Sequence, residues 1–198
     1  MKYLVLFLLA FTIISCKNEV DQENKNNSES DEIIDVHDPN MNQMVTDTIH
    51  DEGIMLIGKV NRNGFKKKEL DSLFKVSYKE HILDSIAVEE LKPLLKDIHF
   101  KVFTRSCCTD PQREIPALYK ILDNANFNYD QLEMVALSHD RDTPEGLEKG
   151  FDVEYVPTII VFKDDVELGR YVEFPQETLE KDLLAIIKGT GYKHSYEE

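Results

Sequence analysis

Between Ile98 and Leu137 the apolar residues change their period twice, and this constrains the fold more than any other feature of the chain. Ile98-His-Phe-Lys-Val-Phe103 alternates as a strand does. Pro111 to Asn124 places Ile115, Leu118, Ile121 and Leu122 at helical spacing, and Leu132-Glu-Met-Val-Ala-Leu137 reads as a strand again. A strand, a helix and a strand in close succession predict a right-handed crossover with the two strands parallel. Further on, Pro144 to Gly150 reads as a short helix. Thr158 to Phe162 and Val166 to Val172 read as a hairpin about the turn Lys163-Asp-Asp165, and Glu177 to Lys188 as a helix stopped by Gly189. The expected fold class is therefore α/β, with a central mixed sheet flanked by helices and the hairpin adding an antiparallel edge.

Upstream, Ile54 to Val60 reads as a short strand and Asn61-Arg-Asn-Gly64 as a turn. Lys66 to Phe74 and Glu80 to Leu95 carry apolar residues at helical spacing, with Ile82, Ile86, Leu91, Leu94 and Leu95 expected on one face. Pro93 interrupts that pattern. Residues 53–97 are thus read as an N-terminal extension, 98–190 as the main domain and 191–198 as a C-terminal tail.

The chain opens with Met1-Lys2 and the apolar run Tyr3 to Ile14, which is too short to span a bilayer and gives way at once to polar sequence. Residues 1–15 are expected to be a secretory signal peptide. Ile13-Ile-Ser-Cys16 resembles the bacterial lipobox, in which the cysteine becomes the lipidated first residue; the alternative is a plain signal followed by a chance cysteine. From Lys17 to Glu52 there are eleven acidic side chains against two basic ones, and few large apolar residues. Such a segment cannot bury enough surface to offset its ordering entropy, so residues 16–52 are read as a lipidated, disordered acidic tether. A bacterial cell-envelope location follows, with the domain lipid-anchored and facing the periplasm or the outer surface. The formal net charge of −15 argues against a nucleic-acid partner and against electrostatic adhesion to anionic lipid.

With Cys16 assigned to the anchor, two thiols remain, the neighbours Cys107 and Cys108. They lie in Thr104-Arg-Ser-Cys-Cys-Thr-Asp-Pro-Gln-Arg-Glu-Ile-Pro116, where a strand gives way to a helix. A cysteine at a helix start meets unpaired amides and the positive end of the helix dipole, both of which favour the reactive thiolate. Pro111 suits the first helical turn, where its missing amide hydrogen costs nothing. Cys107 has two readings: a small apolar side chain turned into the core, or a second thiol able to close a small, strained ring with Cys108. Cys108 has two as well, an active nucleophile or an idle remnant. His139 and Asp140, after the second strand, fall at the sheet end where ligands of open α/β sheets collect. Arg105, Asp110, Arg113 and Glu114 read as a solvated rim.

Cys108-Thr-Asp-Pro-Gln-Arg-Glu-Ile-Pro116, following a strand and opening a helix, resembles the active-site turn of the thioredoxin superfamily. Tyr155-Val-Pro-Thr-Ile-Ile-Val-Phe162 resembles the loop and strand in which that superfamily keeps a cis-proline beside its cysteine. The resemblance spans Ile98 to about Gly189 and implies a thioredoxin-like fold. It further implies a cis Pro157 adjacent to Cys108, a substrate groove at Val156 and Pro157, and thiol chemistry without a cofactor. The family turn usually reads Trp-Cys-x-x-Cys; this chain has Cys107 for the tryptophan and Pro111 for the second cysteine, so the usual intramolecular disulfide cannot form.

Three functions compete. One is a monothiol disulfide oxidoreductase of the envelope working through Cys108 in redox homeostasis, its partners being thiol- or disulfide-containing envelope proteins or small thiols. Another is a non-catalytic peptide-binding or scaffold lipoprotein on the same fold. The third, a copper site of Cys107, Cys108 and His139, is set aside because thioredoxin-fold copper carriers resemble Cys-x-x-x-Cys and residue 104 here is Thr. No metal is expected.

Overall fold

The computed structural model describes residues 38–48 and 53–197. The expected signal peptide, the expected lipidation site Cys16, and residues 17–37 and 49–52 of the expected tether lie outside the described residues. The chain runs through β1 (Gln43–Asp47), β2 (Gly53–Val60), a single helical turn α1 (Arg62–Phe65), α2 (Lys68–Glu80), α3 (Ser85–Leu91) and a 3-10 turn, Lys92–Asp97. Then follow β3 (Ile98–Thr104), α4 (Thr109–Asn124), β4 (Leu132–Ala136), β5 (Thr158–Lys163), β6 (Val166–Val172) and α5 (Leu179–Lys188).

One six-stranded sheet has the order β1-β2-β4-β3-β5-β6. Only β3 and β4 are parallel, joined through α4 as the period change predicts; the other neighbours are antiparallel. The β5–β6 hairpin turns on Asp164 and Asp165, both at positive φ, the mirror-image turn whose twist matches that of paired strands. Gly189 closes α5 in the left-handed conformation that suits glycine best, as its place in the sequence suggests.

Side-chain alternation divides the core. Phe100, Val102, Met134, Ala136, Ile159 and Val161 face the helices and share one cluster with Leu118, Ile121, Leu122 of α4 and Leu179, Leu183 of α5. Phe103, Val135, Leu137, Val156 and Ile160 point the other way, where Leu147, Phe151 and Val153 cover them. That cover was expected to include a helix over 144–150, and it is instead a series of turns. Gly146 and Gly150 both sit at positive φ, and Thr143 spends its hydroxyl on the Leu147 amide and the Glu148 carboxylate, so no helix propagates.

Two expected boundaries move. The tether was drawn to residue 52, yet 43–47 form β1, paired with β2 over five residues. Asn42 secures this strand: its amide nitrogen donates to Asn61 Oδ1 at 2.9 Å and its own Oδ1 accepts from the Asn61 backbone at 2.9 Å. Gly64 lies so close that a Cβ there would meet Asn42 Oδ1 at 2.5 Å. Nor does residue 97 divide two bodies, because β2 hydrogen-bonds to β4 within the main sheet. The two helical stretches of the extension become α2 and α3 with a break at 81–84, where Asp84 caps α3 by accepting from the Ala87 amide. Leu91 and Leu95 are buried as expected, but Ile82 and Ile86 are 92% and 77% exposed.

Candidate functional site around Cys108

β3 delivers the chain to Thr104 in the fully buried sheet interior, and α4 begins at Thr109, so residues 105–108 have one short turn in which to reverse direction. Ser106 fixes that turn. It is 4% exposed; its hydroxyl accepts from the Leu56 amide of β2 at 3.0 Å and its carbonyl accepts from Gln112 Nε2 at 2.9 Å. A segment expected to be a mere lead-in therefore braces the cysteine turn.

Cys108 is the N-cap of α4, in extended conformation at φ −92° and ψ 147°, with its carbonyl accepting from the Gln112 amide at 3.1 Å. Pro111 falls in the first turn of the helix. Arg105 reaches across the turn: its Nε donates to Cys108 Sγ at 2.8 Å and its Nη1 to the carbonyl of His139 at 2.9 Å. The guanidinium thus ties the loop after β4 to the thiol. A sulfur held by a fixed cation at a helix N-terminus is stabilised as the thiolate, the nucleophilic form of cysteine. Both Cys107 and Cys108 are half-buried.

The Val156–Pro157 bond is cis. Thr158 pairs with Phe103 across β5 and β3, so Pro157 flanks the same sheet end from which the cysteine turn leaves. Its carbonyl accepts from the Glu173 amide at 2.8 Å. Val156, expected in a groove, is 8% exposed and packs into the core behind the sheet, which leaves only its backbone for a ligand.

Of the expected rim, Asp110 and Arg113 pair at 2.9 Å. Glu114 departs from that reading: it is 4% exposed and accepts from Arg113 Nε at 2.6 Å. Burial, then the facing Glu114 carboxylate, push the Tyr171 phenol well above its ordinary range. His139 enters the site through its carbonyl oxygen. Arg105, like Glu114, was placed wrongly by sequence reasoning; its spacing three before Cys108 was the available signal. Beside the turn, Phe65, Leu70, Phe74, Arg105, Pro111 and Pro116 border an apolar groove of about 310 Å³. Among the described residues no group of three or more His, Cys, Asp or Glu side chains is arranged to hold a metal ion. Among them, too, no helix is long and apolar enough to cross a membrane.

No family model matches the chain, and no curated protein does so. Among solved structures, a protein of unknown function from Pseudomonas aeruginosa matches with a TM-score of 0.50 at 22% identity, over 68% of this chain and 95% of its own. An HIV epitope-scaffold matches with a TM-score of 0.45 at 23% identity, over 60% of this chain and 82% of its own. The first likeness concerns the fold alone.

Proposed function

We propose that the chain is an exported, lipid-anchored protein of thioredoxin-like fold that uses Cys108 as a single nucleophilic thiol toward disulfides of the bacterial envelope. The observation that carries this reading is the 2.8 Å hydrogen bond from Arg105 Nε to Cys108 Sγ at the N-cap of α4. The cis Val156–Pro157 bond at the same sheet end and the Cys108-Thr-Asp-Pro111 turn support it. The anchor at Cys16 and the envelope location rest on the sequence of residues 1–16.

In this reaction the Cys108 thiolate attacks one sulfur of a partner disulfide. A new S–S bond joins Cys108 to that sulfur, the old S–S bond breaks, and the departing thiolate takes a proton from water. With Pro111 where a resolving cysteine would stand, a second, external thiolate attacks the sulfur on the partner's side of the mixed disulfide. Cys108 leaves as a thiolate again, the partner now holding the external thiol in a mixed disulfide. A further external thiolate attacks that thiol's sulfur, an external disulfide forms, and the partner's second sulfur leaves as a thiolate. Two electrons have then passed from external thiols to the partner. Arg105 stays hydrogen-bonded to the sulfur while it carries charge, on the attack and on the release.

Pro111 also motivates a second reading, a peptide-binding lipoprotein without turnover. The rate of Cys108 alkylation against pH separates the two. The catalytic reading expects a midpoint clearly below the ordinary cysteine value of about 8.5, in wild type and in Cys107→Ser alike. It also expects a trapped adduct with a disulfide substrate that disappears in Cys108→Ala. A midpoint at the ordinary value would leave the binding reading in its place.

A further inference from the structure

The last residues of the chain do not trail into solvent. Tyr196 lies on Tyr155 with ring centroids 3.8 Å apart and planes 4° from parallel, and Phe174 meets it edge-on at 6.1 Å. Its phenol donates to the Glu173 carboxylate. One residue earlier, Ser195 Oγ donates to the Phe174 carbonyl at 3.2 Å and accepts from Gln176 Nε2 at 2.9 Å. Farther back, Tyr192 is pinned to Asp182 on α5 at 3.2 Å.

The place where this tail lies matters. Tyr155 immediately precedes Val156 and Pro157, and Glu173 donates its amide to the Pro157 carbonyl. The hydrogen bond to Glu173, partial desolvation, and the charges of Glu173, Tyr155 and Asp110 push the Tyr196 phenol up to about 12. The end of the tail thus lies against Tyr155, on the loop that leads into Pro157, and against Glu173 and Phe174 after β6. His194 and Tyr196 border a cleft of about 510 Å³ together with Tyr155, Asp152, Glu154 and Arg170. Arg170 is committed to both oxygens of Glu167 and to the Phe151 carbonyl, so Asp152 and Glu154 set an acidic character. The tail meets the aromatic platform with Tyr196, and His194, two residues before it, borders the acidic cleft while its Nδ1 accepts from the Tyr196 amide and its Nε2 faces the Glu197 carboxylate at 3.8 Å.

We propose that Tyr155, Phe174 and the Asp152–Glu154 cleft form a recognition surface for an extended polypeptide bearing an aromatic side chain two residues after a basic one, and that His194-Ser-Tyr196 is its intramolecular occupant. The inference rests on the Cys108 reading for its consequence: a protein partner of the thiol that uses this surface displaces the tail. A tethered segment meets its site at an effective concentration on the order of mM. A free partner must therefore exceed the tail's own modest contacts, and a single aromatic stack accounts for roughly a three- to tenfold difference.

The test uses the full chain, the Tyr196→Ala, Tyr155→Leu and Tyr155→Phe variants, and a fluorescently labelled peptide with the sequence of residues 191–198. Circular dichroism checks the fold of each variant. Anisotropy should show Tyr196→Ala binding the peptide roughly three- to tenfold tighter than wild type. Tyr155→Leu in the Tyr196→Ala background should lose that binding, while Tyr155→Phe keeps it. The same peptide extended by one cysteine, held as a mixed disulfide with a small thiol, should react with Cys108 faster in Tyr196→Ala by a similar factor, with iodoacetamide rates unchanged. Equal peptide affinity in wild type and Tyr196→Ala, or full binding by Tyr155→Leu, would overturn the proposal. If the peptide arm behaves as expected while Cys108 is inert to iodoacetamide, the redox reading fails and the recognition surface stands.

Discussion

Arg105 holds a thiol and a carbonyl from two different loops, so removing its charge should be felt at the sulfur before anywhere else. In Arg105→Gln the alkylation midpoint of Cys108 is expected to rise by about one pH unit, the lower end of what a close opposite charge contributes. Circular dichroism should be unchanged, and an unmoved midpoint would remove Arg105 from the site. Thr104 offers the opposite kind of test. Its hydroxyl is buried without a hydrogen-bond partner among the described residues, so Thr104→Val should be neutral or stabilising by up to about 1 kcal/mol in urea unfolding. Cys108 and Pro157 stood out in the sequence because their neighbours are local. Arg105 did not, because its task exists only once the turn closes and the loop after β4 arrives beside it. Glu114 was misplaced for a related reason: a charge near a helix start looks solvated until Arg113 and Tyr171 are seen around it.

α4 gathers a polar knot on the flank away from its cysteine. Asp123 accepts from Arg62 at 2.7 Å, Tyr129 at 2.6 Å and Tyr78 at 2.7 Å, and the Arg62 guanidinium lies 4.4 Å from the Tyr119 ring centre. Burial opposes the charge on Asp123, but the hydrogen bonds from Arg62, Tyr129 and Tyr78 outweigh it and hold the carboxyl below its ordinary range. A carboxyl with a depressed folded value adds stability that is full above its unfolded value, about 3.9, and vanishes as pH falls through the folded one. Asp123→Asn should therefore cost about 1 to 3 kcal/mol at neutral pH. It should also lose part of the wild-type drop in stability below about pH 4. Denaturant melts at pH 7 and pH 3 decide this, and an equal cost at both would mean the knot acts by packing alone. Helical periodicity revealed α4 and α5 because their apolar stripes face one core. It failed at Ile82, which falls in the break between α2 and α3, at Ile86, on the outer face of α3, and at 144–150, where two glycines outweigh the pattern.

Across the molecule, the sheet joins segments far apart in sequence, and Ser106 shows the result: the β2 backbone, fifty residues upstream, holds the turn that presents Cys108. Ser106→Ala should leave the Leu56 amide without its acceptor and cost about 1 to 3 kcal/mol. It should also slow Cys108 alkylation as the turn loosens; an unchanged rate would separate the brace from the site. The α/β class and the hairpin could be read from hydrophobic periods. The membership of β1 and β2 in the same sheet could not, since antiparallel pairing between distant strands leaves no local trace.

Among the described residues, the helices pack on one face of the sheet, and a glycine-interrupted ribbon of turns covers the other. That ribbon leads directly into Tyr155 and Pro157. Breaking a few turns takes less energy than unpacking a helix from its core, so amides of residues 144–157 should exchange with solvent well before those of α4. The protein in this way mounts its sulfur on ground that does not give, and sets beside it ground that does.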